Sequence, residues 1–201
     1  MTSRQRDEGR ERLKLLYDIS RRLGASLDIA ELMREILALT IDCVGASNGS
    51  IFIFDQEGQV QKQILIRQEL PLAEAEKAVA TVLEKGLAGW VRQHKQATIV
   101  HDTAGDKRWT AFPNDEGVRS AIAVPFLHAD SLVGLLTLVH PEKGYFRPDH
   151  LDLLTAIASQ AASAIEKARL YQQTDENLRQ RVQELSLLLD IAEALSSSLD
   201  V

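Results

Sequence analysis

The stretch "VRSAIAVPFLHADSLVGLLTLVHP", residues 118–141, contains two apolar runs separated by four turn-prone residues. Apolar runs of this length on either side of a short polar break are typical of a β-hairpin. We predict strands at Ser120–Leu127 and Leu132–Val139, with the turn at His128–Ser131. Pro125 predicts an edge position or a bulge in the first strand, because proline cannot donate a hydrogen bond to the sheet. An antiparallel sheet is therefore the centre of the predicted fold.

The segment before this hairpin alternates between strand and helix patterns. Asp28 is followed by helically spaced apolar residues, so we predict that it caps a helix and that Glu31 completes a capping box. The other predicted elements are a hairpin turning at residues 55–58, a helix at 71–85, a short helix carrying Trp90 and Val91, and a strand at Thr98–Val100. This order of elements predicts an α+β domain.

The segment after the hairpin predicts one long helix, because neither proline nor glycine occurs between Pro148 and Leu195. Its apolar residues keep a spacing of four and three, which is typical of a coiled coil that leaves the domain. A similar narrow seam occurs near the N-terminus, and we predict a parallel homodimer built from both seams. The residues predicted at the dimer interface are Leu13, Leu16, Leu23, Ala164, Ala168, Tyr171, Leu178, Val182 and Leu185.

The beginning of the chain is repeated at its end. Nine residues between Leu13 and Asp28 recur 172 positions later, from Leu185 to Asp200. Such a match favours an internal repeat, although two leucine-rich helices can also converge on one pattern. We therefore predict a polar tail at 1–9, a domain at 10–171 with an N-terminal helix at 10–27, and a coiled-coil linker with the start of a second repeat at 172–201.

Composition removes several classes of partner. With a net charge of −6, the chain has no electrostatic reason to bind nucleic acid or an acidic membrane surface. The sequence contains neither a signal peptide nor an apolar run of about 20 residues, so we expect a cytoplasmic protein without direct membrane contact. Cys43 is the single cysteine, which excludes an internal disulfide and fits a reducing compartment.

No pattern in the sequence predicts catalysis or metal binding. The five histidines are scattered without the helical pair spacing of metal ligands. "EKGLAGW" lacks the spacing of a phosphate loop, and no pair of carboxylates with a basic partner indicates acid–base chemistry. Cys43 is best interpreted as a buried structural thiol. We predict no catalytic residue, no metal and no cofactor, although haem on one axial histidine, such as His101, stays open.

The loop from Asp102 to Gly117 is the longest stretch without periodicity, and loops of this length are usually functional or mobile. Its aromatic residues next to charged ones are typical of a pocket wall that holds a flat ligand. The alternative is that they form a hydrophobic lid over the sheet. The predicted ligand-binding residues are Phe52, Asp102, Trp109, Phe112, Arg119 and Ser120.

Residues 85–109 and 119–171 together resemble a GAF domain, the small-molecule-sensing module of bacterial signalling proteins and phosphodiesterases. The residues that carry the resemblance are Gly86, Gly89, Trp90, Asp102, the segment from Arg119 to Pro125, Gly134, Phe146 and the alanine-rich last helix. The resemblance implies an antiparallel sheet of five or six strands, with helices on one face and a ligand pocket under loops on the other. It also implies long N- and C-terminal signalling helices and tandem copies.

Several activities of the family do not fit this chain. Members that carry a bilin attach it through a cysteine beside a histidine, whereas Cys43 precedes the first strand and has no histidine neighbour, so we expect no covalent bilin. The residue pattern of the cyclic-nucleotide-binding members is not visible. Members that reduce methionine sulfoxide use several cysteines, because a sulfenic acid needs a resolving thiol.

The function that we predict is a non-enzymatic sensory module of a two-component or cyclase-type protein. It would bind an unidentified small molecule and act on an output domain of the same chain through the coiled-coil dimer. The alternatives are a ligand-free dimerisation and spacer module and, less favoured, a methionine sulfoxide reductase.

Overall fold

The computed structural model describes residues 17–24, 26–66, 72–110 and 117–199. The first helix, α1, is described over residues 17–23. The elements that follow are α2 (Ile29–Val44), β1 (Asn48–Phe54), β2 (Val60–Ile66), α3 (Leu72–Lys85), α4 (Leu87–His94), β3 (Thr98–Val100), β4 (Ser120–His128), β5 (Ser131–His140) and α5 (Pro148–Leu199). The predicted tail at 1–9 and the predicted interface residues Leu13 and Leu16 lie outside the described residues.

The strands form one antiparallel sheet of five strands in the order β2-β1-β5-β4-β3. Both predicted hairpins are present, and β3 has the predicted bounds. Pro125 pairs with Leu135 of β5 but lies beyond the part of β4 that pairs with β3, and a register shift follows at Phe126/Leu127. The proline therefore occupies a local edge next to a bulge, as its missing N–H requires.

One face of the sheet is covered by α2 and α5, with Ile19 and Leu23 of α1 in the same apolar cluster. Ile51, Ile122 and Leu138 face these helices from three strands. This helix-covered face confirms the expected architecture. The opposite face, which the expectation left to loops, also carries helices, because residues of α3 and α4 form a second buried cluster with the sheet.

Asp28 caps α2 as predicted, with its carboxylate accepting a hydrogen bond from the backbone N–H of Ala30 at 2.7 Å. The predicted capping box does not form. Glu31 accepts from the Ser26 hydroxyl at 2.6 Å, and the backbone N–H of Asp28 donates to the same Ser26 oxygen at 3.1 Å. In a capping box the Glu31 carboxylate would accept a hydrogen bond directly from the Asp28 backbone N–H. Here the Ser26 hydroxyl lies between these two groups and forms a hydrogen bond with each of them.

The last helix, α5, extends over 52 residues and has two different surroundings. Its first part contributes buried side chains to the core, which are Leu154, Ile157, Ala158, Ala161, Ala162, Ile165 and Ala168. From Leu170 to Leu189 its large apolar side chains are exposed. Among the described residues, none of the helices has an apolar stretch long enough to cross a membrane.

This arrangement changes the predicted dimer seam. Leu23 is 1% exposed and Ala168 is 0% exposed, and both lie in the core of a single chain. Neither side chain is therefore available to a partner. Ala164 is half-buried. The other described members of the seam, Tyr171, Leu178, Val182 and Leu185, are at least 59% exposed.

Candidate functional site

The face of the sheet under α3 and α4 carries an open groove. The groove has a volume of about 530 Å³ and lies between edge strand β2 and helix α3. Polar side chains from β2 face Val79 and Leu83 of α3, and Arg92 of α4 lies at the same groove. A volume of this size is within the range of small-molecule sites.

Arg92 connects the groove to the first hairpin. Its guanidinium donates to the backbone carbonyl of Gly58 at 2.6 Å and lies 5.3 Å from the centre of the Phe54 ring. A guanidinium at this distance from an aromatic ring is held by a cation–π interaction. Arg92 therefore fixes α4 against the β1–β2 turn.

Arg108, in the loop after β3, is held on three sides. Its guanidinium donates to both carboxylate oxygens of Asp106, at 3.0 and 2.7 Å, and to the hydroxyl of Thr98 at 2.9 Å. The guanidinium carbon lies 5.1 Å from the Trp90 ring centre, and His94 stacks on the same ring with centroids 4.3 Å apart. The side-chain hydrogen bonds between Asp106 and Arg108 lower the pKa of Asp106 and raise the pKa of Arg108. Both groups are therefore ionised at neutral pH and largely satisfy each other.

Asp102 forms a second ionic cluster at the end of the sheet where β3, β4 and β5 meet. Its carboxylate lies 2.8 Å from the Lys143 ammonium and 3.2 Å from the Arg119 guanidinium. Hydrogen bonds from Lys143, then from the backbone N–H of Ala104, lower the pKa of Asp102 to about 2. This cluster joins the loop to the neighbouring strand ends.

The predicted ligand residues divide into groups. Asp102 and Arg119 contact each other, as described above. Phe52 is fully buried in the cluster under α3 and α4, and Trp109 packs against that cluster. Ser120 is buried and donates to the backbone carbonyl of Glu142 at 2.8 Å, so its hydroxyl is used inside the protein. Phe112 lies outside the described residues.

The groove residues are the part of the site that sequence reasoning missed. Gln59, Gln61 and Gln63 line the groove, and they alternate with other residues in the sequence "QVQKQ". An alternating pattern shows that one side of a strand is polar. It does not show that a helix lies above that side and turns it into a groove.

Cys43 lies elsewhere. It packs against the cluster under α2 and α5, on the other side of the sheet from the groove. Burial, and then the charge of Asp42, raises the pKa of the Cys43 thiol, which disfavours the reactive thiolate. In the described part of the chain, no three histidine, cysteine or carboxylate side chains are placed to hold a metal ion.

Comparison with known families gives a match over most of the chain. A family model described as a GAF domain matches residues 26–166. The sensor histidine kinase YhcY of Bacillus subtilis (strain 168) is 27% identical over 179 residues, which cover 85% of this chain and 47% of that protein. The chain thus spans about half the length of this curated relative.

Solved structures show the same fold at low sequence identity. The GAF domain of a phosphoenolpyruvate-protein phosphotransferase from Coxiella burnetii superposes with a TM-score of 0.64 at 20% identity, covering 81% of this chain and 96% of that one. The equivalent domain from Acinetobacter gives 0.61 at 19% identity, covering 85% and 97%. A free methionine-R-sulfoxide reductase from Neisseria meningitidis gives 0.61 at 16% identity, covering 80% and 91%. The same fold therefore occurs in domains of phosphotransferases and in a methionine sulfoxide reductase.

Proposed function

Since this chain belongs to the GAF domain family, we propose that it is a sensory module of a larger signalling protein. In this proposal a small molecule binds on the α3–α4 face of the sheet, and the bound state is transmitted through α5 to a parallel dimer. The similarity to a sensor histidine kinase supports an output domain of the kinase type in the same chain.

The single observation that carries the proposal is the continuity of α5. Ile157 and Ile165 are completely buried in the core that α5 forms with the sheet, whereas Leu178 and Val182 are about 60% exposed on the same helix. A shift of the buried part must displace the exposed part, because an uninterrupted helix transmits rotation and translation along its axis. A ligand that favours one position of α5 would then shift the population toward the dimer geometry that goes with that position. The free energy of this shift cannot exceed the difference in the ligand's affinity for the two positions.

The exposed part of α5 has the chemistry of a dimer seam. Alternating spacings of four and three residues connect Tyr171, Asp175, Leu178, Val182, Leu185 and Leu189, and the five apolar side chains among them are all more than half exposed. The polar residue in this series is Asp175, which pairs with Arg179 of its own helix at 2.8 Å. A second copy of the same helix supplies matching apolar side chains, and a polar residue at one seam position favours a defined register.

The enzymatic alternative has less support. A reductase of this type needs a reactive cysteine at its substrate, whereas Cys43 packs on the face opposite the groove and its pKa is raised. Cysteine is not among the described residues that line the groove, and the Arg108 guanidinium is paired with Asp106.

The experiment replaces two seam residues with carboxylates, Leu178→Glu together with Val182→Glu. We expect the variant to be monomeric at micromolar concentration, because like charges in a desolvated seam oppose pairing. The matched control is Gln180→Glu with Gln183→Glu, which adds the same charge on the outer side of the helix and should remain dimeric. Native mass spectrometry measures the oligomeric state and also detects a small molecule that is released on unfolding. A double seam variant that stays dimeric would show that α5 is not the dimer interface.

A further inference from the structure

A row of hydroxyl groups crosses the sheet face that lies under α3 and α4. Ser50 of β1 is directly opposite Thr137 of β5, Thr137 is opposite Ala123 of β4, and Ala123 is opposite Thr98 of β3. Side chains directly opposite each other have Cβ atoms about 5 Å apart. The three hydroxyl residues thus form one line, which we call the hydroxyl row.

The orientation of the hydroxyl row follows from its neighbours. Phe52, Leu135 and Val139 are two residues away from members of the row along their strands and belong to the cluster under α3 and α4. Because side chains alternate between the two faces of a sheet, Ser50 and Thr137 lie on this same face. The row is therefore a polar strip in otherwise apolar surroundings.

Two members of the row lack protein partners. The hydroxyl oxygen of Thr137 is buried, with 9% of the residue exposed, and makes no hydrogen bond to any described residue. Thr98 differs, because its hydroxyl accepts a hydrogen bond from Arg108 at 2.9 Å. Ser50 is half-buried, and its hydroxyl has no hydrogen bond within the described part of the chain. An unpaired buried hydroxyl is unfavourable, so such a group calls for a partner outside the protein chain.

A threonine on the other face shows what a purely structural hydroxyl looks like in this domain. Thr40 of α2 is also fully buried, and its hydroxyl lies 2.8 Å from the carbonyl of Ile36 and 3.0 Å from that of Leu37. Thr40 is thus satisfied by its own helix. Thr137 has no such arrangement, although it lies in the central part of the sheet.

We propose that Ser50 and Thr137 bind the hydrogen-bonding group of a small, uncharged ligand on the sheet face under α3 and α4. The inference rests on the proposed sensory function and names the class of molecule that the module takes. Neither residue of the pair is charged, and Arg108 at the end of the row is already neutralised by Asp106. A charged group at Thr137 would lose its hydration without gaining a counter-charge, whereas a neutral amide, nitrogen heterocycle or alcohol can exchange hydrogen bonds with both hydroxyls.

The test uses two pairs of probes that differ in charge but hardly in shape, nicotinamide against nicotinate and benzamide against benzoate. Each is titrated at millimolar concentration into the ¹⁵N-labelled 201-residue chain. We expect the two amides to shift the backbone resonances of Ser50 and Thr137 saturably, and the two carboxylates to leave them unchanged. Equal binding of an amide and its carboxylate, or no binding of either amide, overturns the proposal.

Three variants separate binding from folding. Thr137→Val and Ser50→Ala should each weaken amide binding about threefold to tenfold, the range of one lost neutral hydrogen bond. Thr40→Val removes the same hydroxyl on the other face and should bind the amides like the unmodified chain. Thr137→Val should not lower the free energy of unfolding, because the hydroxyl that it removes is unpaired.

The outcomes distinguish this inference from the proposed function. If Thr137→Val binds the amides as tightly as the unmodified chain, the ligand lies elsewhere and only the present inference fails. If the seam variant of α5 remains dimeric while Thr137→Val loses binding, the route of signalling fails and the ligand site stands.

Discussion

The two faces of the sheet are built from the same strands but have different surroundings. Under α2 and α5 lies the larger apolar cluster, and the buried Thr40 hydroxyl is satisfied within its own helix, although His150 Nδ1 and Arg169 Nε of α5 are buried without a hydrogen bond to any described residue. Under α3 and α4, an open groove, an ionic pair at Arg108 and the unpaired Thr137 hydroxyl share a smaller apolar cluster. The first face is thus the larger apolar core of the domain, and the second is the face on which we propose that a ligand binds.

The largest expected effect comes from one substitution made on each face. Leu154→Ala on α5 should lower the free energy of unfolding by about 4 kcal/mol, because Leu154 is fully enclosed and its loss leaves a cavity. Leu83→Ala on α3 should cost about 2 kcal/mol, because Leu83 lines the open groove, where water can fill the space. Urea unfolding of both variants measures the difference. Equal losses would contradict the distinction between the two faces.

The elements of both faces could be predicted from the sequence, but their partners could not. The spacing of apolar residues correctly indicated a long last helix. It could not show that Ala168 packs on the chain's own sheet while Leu178 stays exposed, because both occupy the same heptad seam. Burial of one half depends on contacts between residues far apart in sequence, which helical periodicity does not contain.

The hydroxyl row was missed for a similar reason. Thr137 is the one polar residue in "LVGLLTLV", and that interruption is the signal that sequence reasoning could have used. Its position opposite Ser50 depends on the register between β1 and β5, two strands that are not neighbours in the chain. Register is fixed by side-chain packing in the folded sheet, so a sequence pattern alone cannot place the two residues together.

A smaller effect is expected at the ionic pair of Arg108 and Asp106 on the α3–α4 face. Arg108→Ala should lower the free energy of unfolding by about 1 kcal/mol, because it removes a partly buried bidentate pair with Asp106 and the contact with Trp90. The matched control is Arg179→Ala, which breaks the exposed pair with Asp175 and should change the free energy by less than about 0.5 kcal/mol. Both are measured by urea unfolding of the seam variant, so that dimerisation does not contribute. If the two variants lose the same free energy, Arg108 does not anchor its loop.

The smallest effect concerns the acid end of the stability profile, where Asp102 ties the loop to the strand ends. Its pKa in the folded protein is about 2, below the ordinary value of 3.8, so the ionised carboxylate is favoured by folding. The contribution of Asp102 to the free energy of unfolding is therefore complete above about pH 4, and it is lost as the pH falls from there through about 2. Lys143→Gln should move the carboxyl titration of Asp102, followed by NMR, back toward the ordinary value, because Lys143 is the largest cause of the shift. Glu142→Gln changes a neighbouring exposed charge and is the control. A titration of Asp102 that stays near pH 2 in Lys143→Gln would mean that the backbone N–H of Ala104 and Arg119 hold the carboxylate without the lysine.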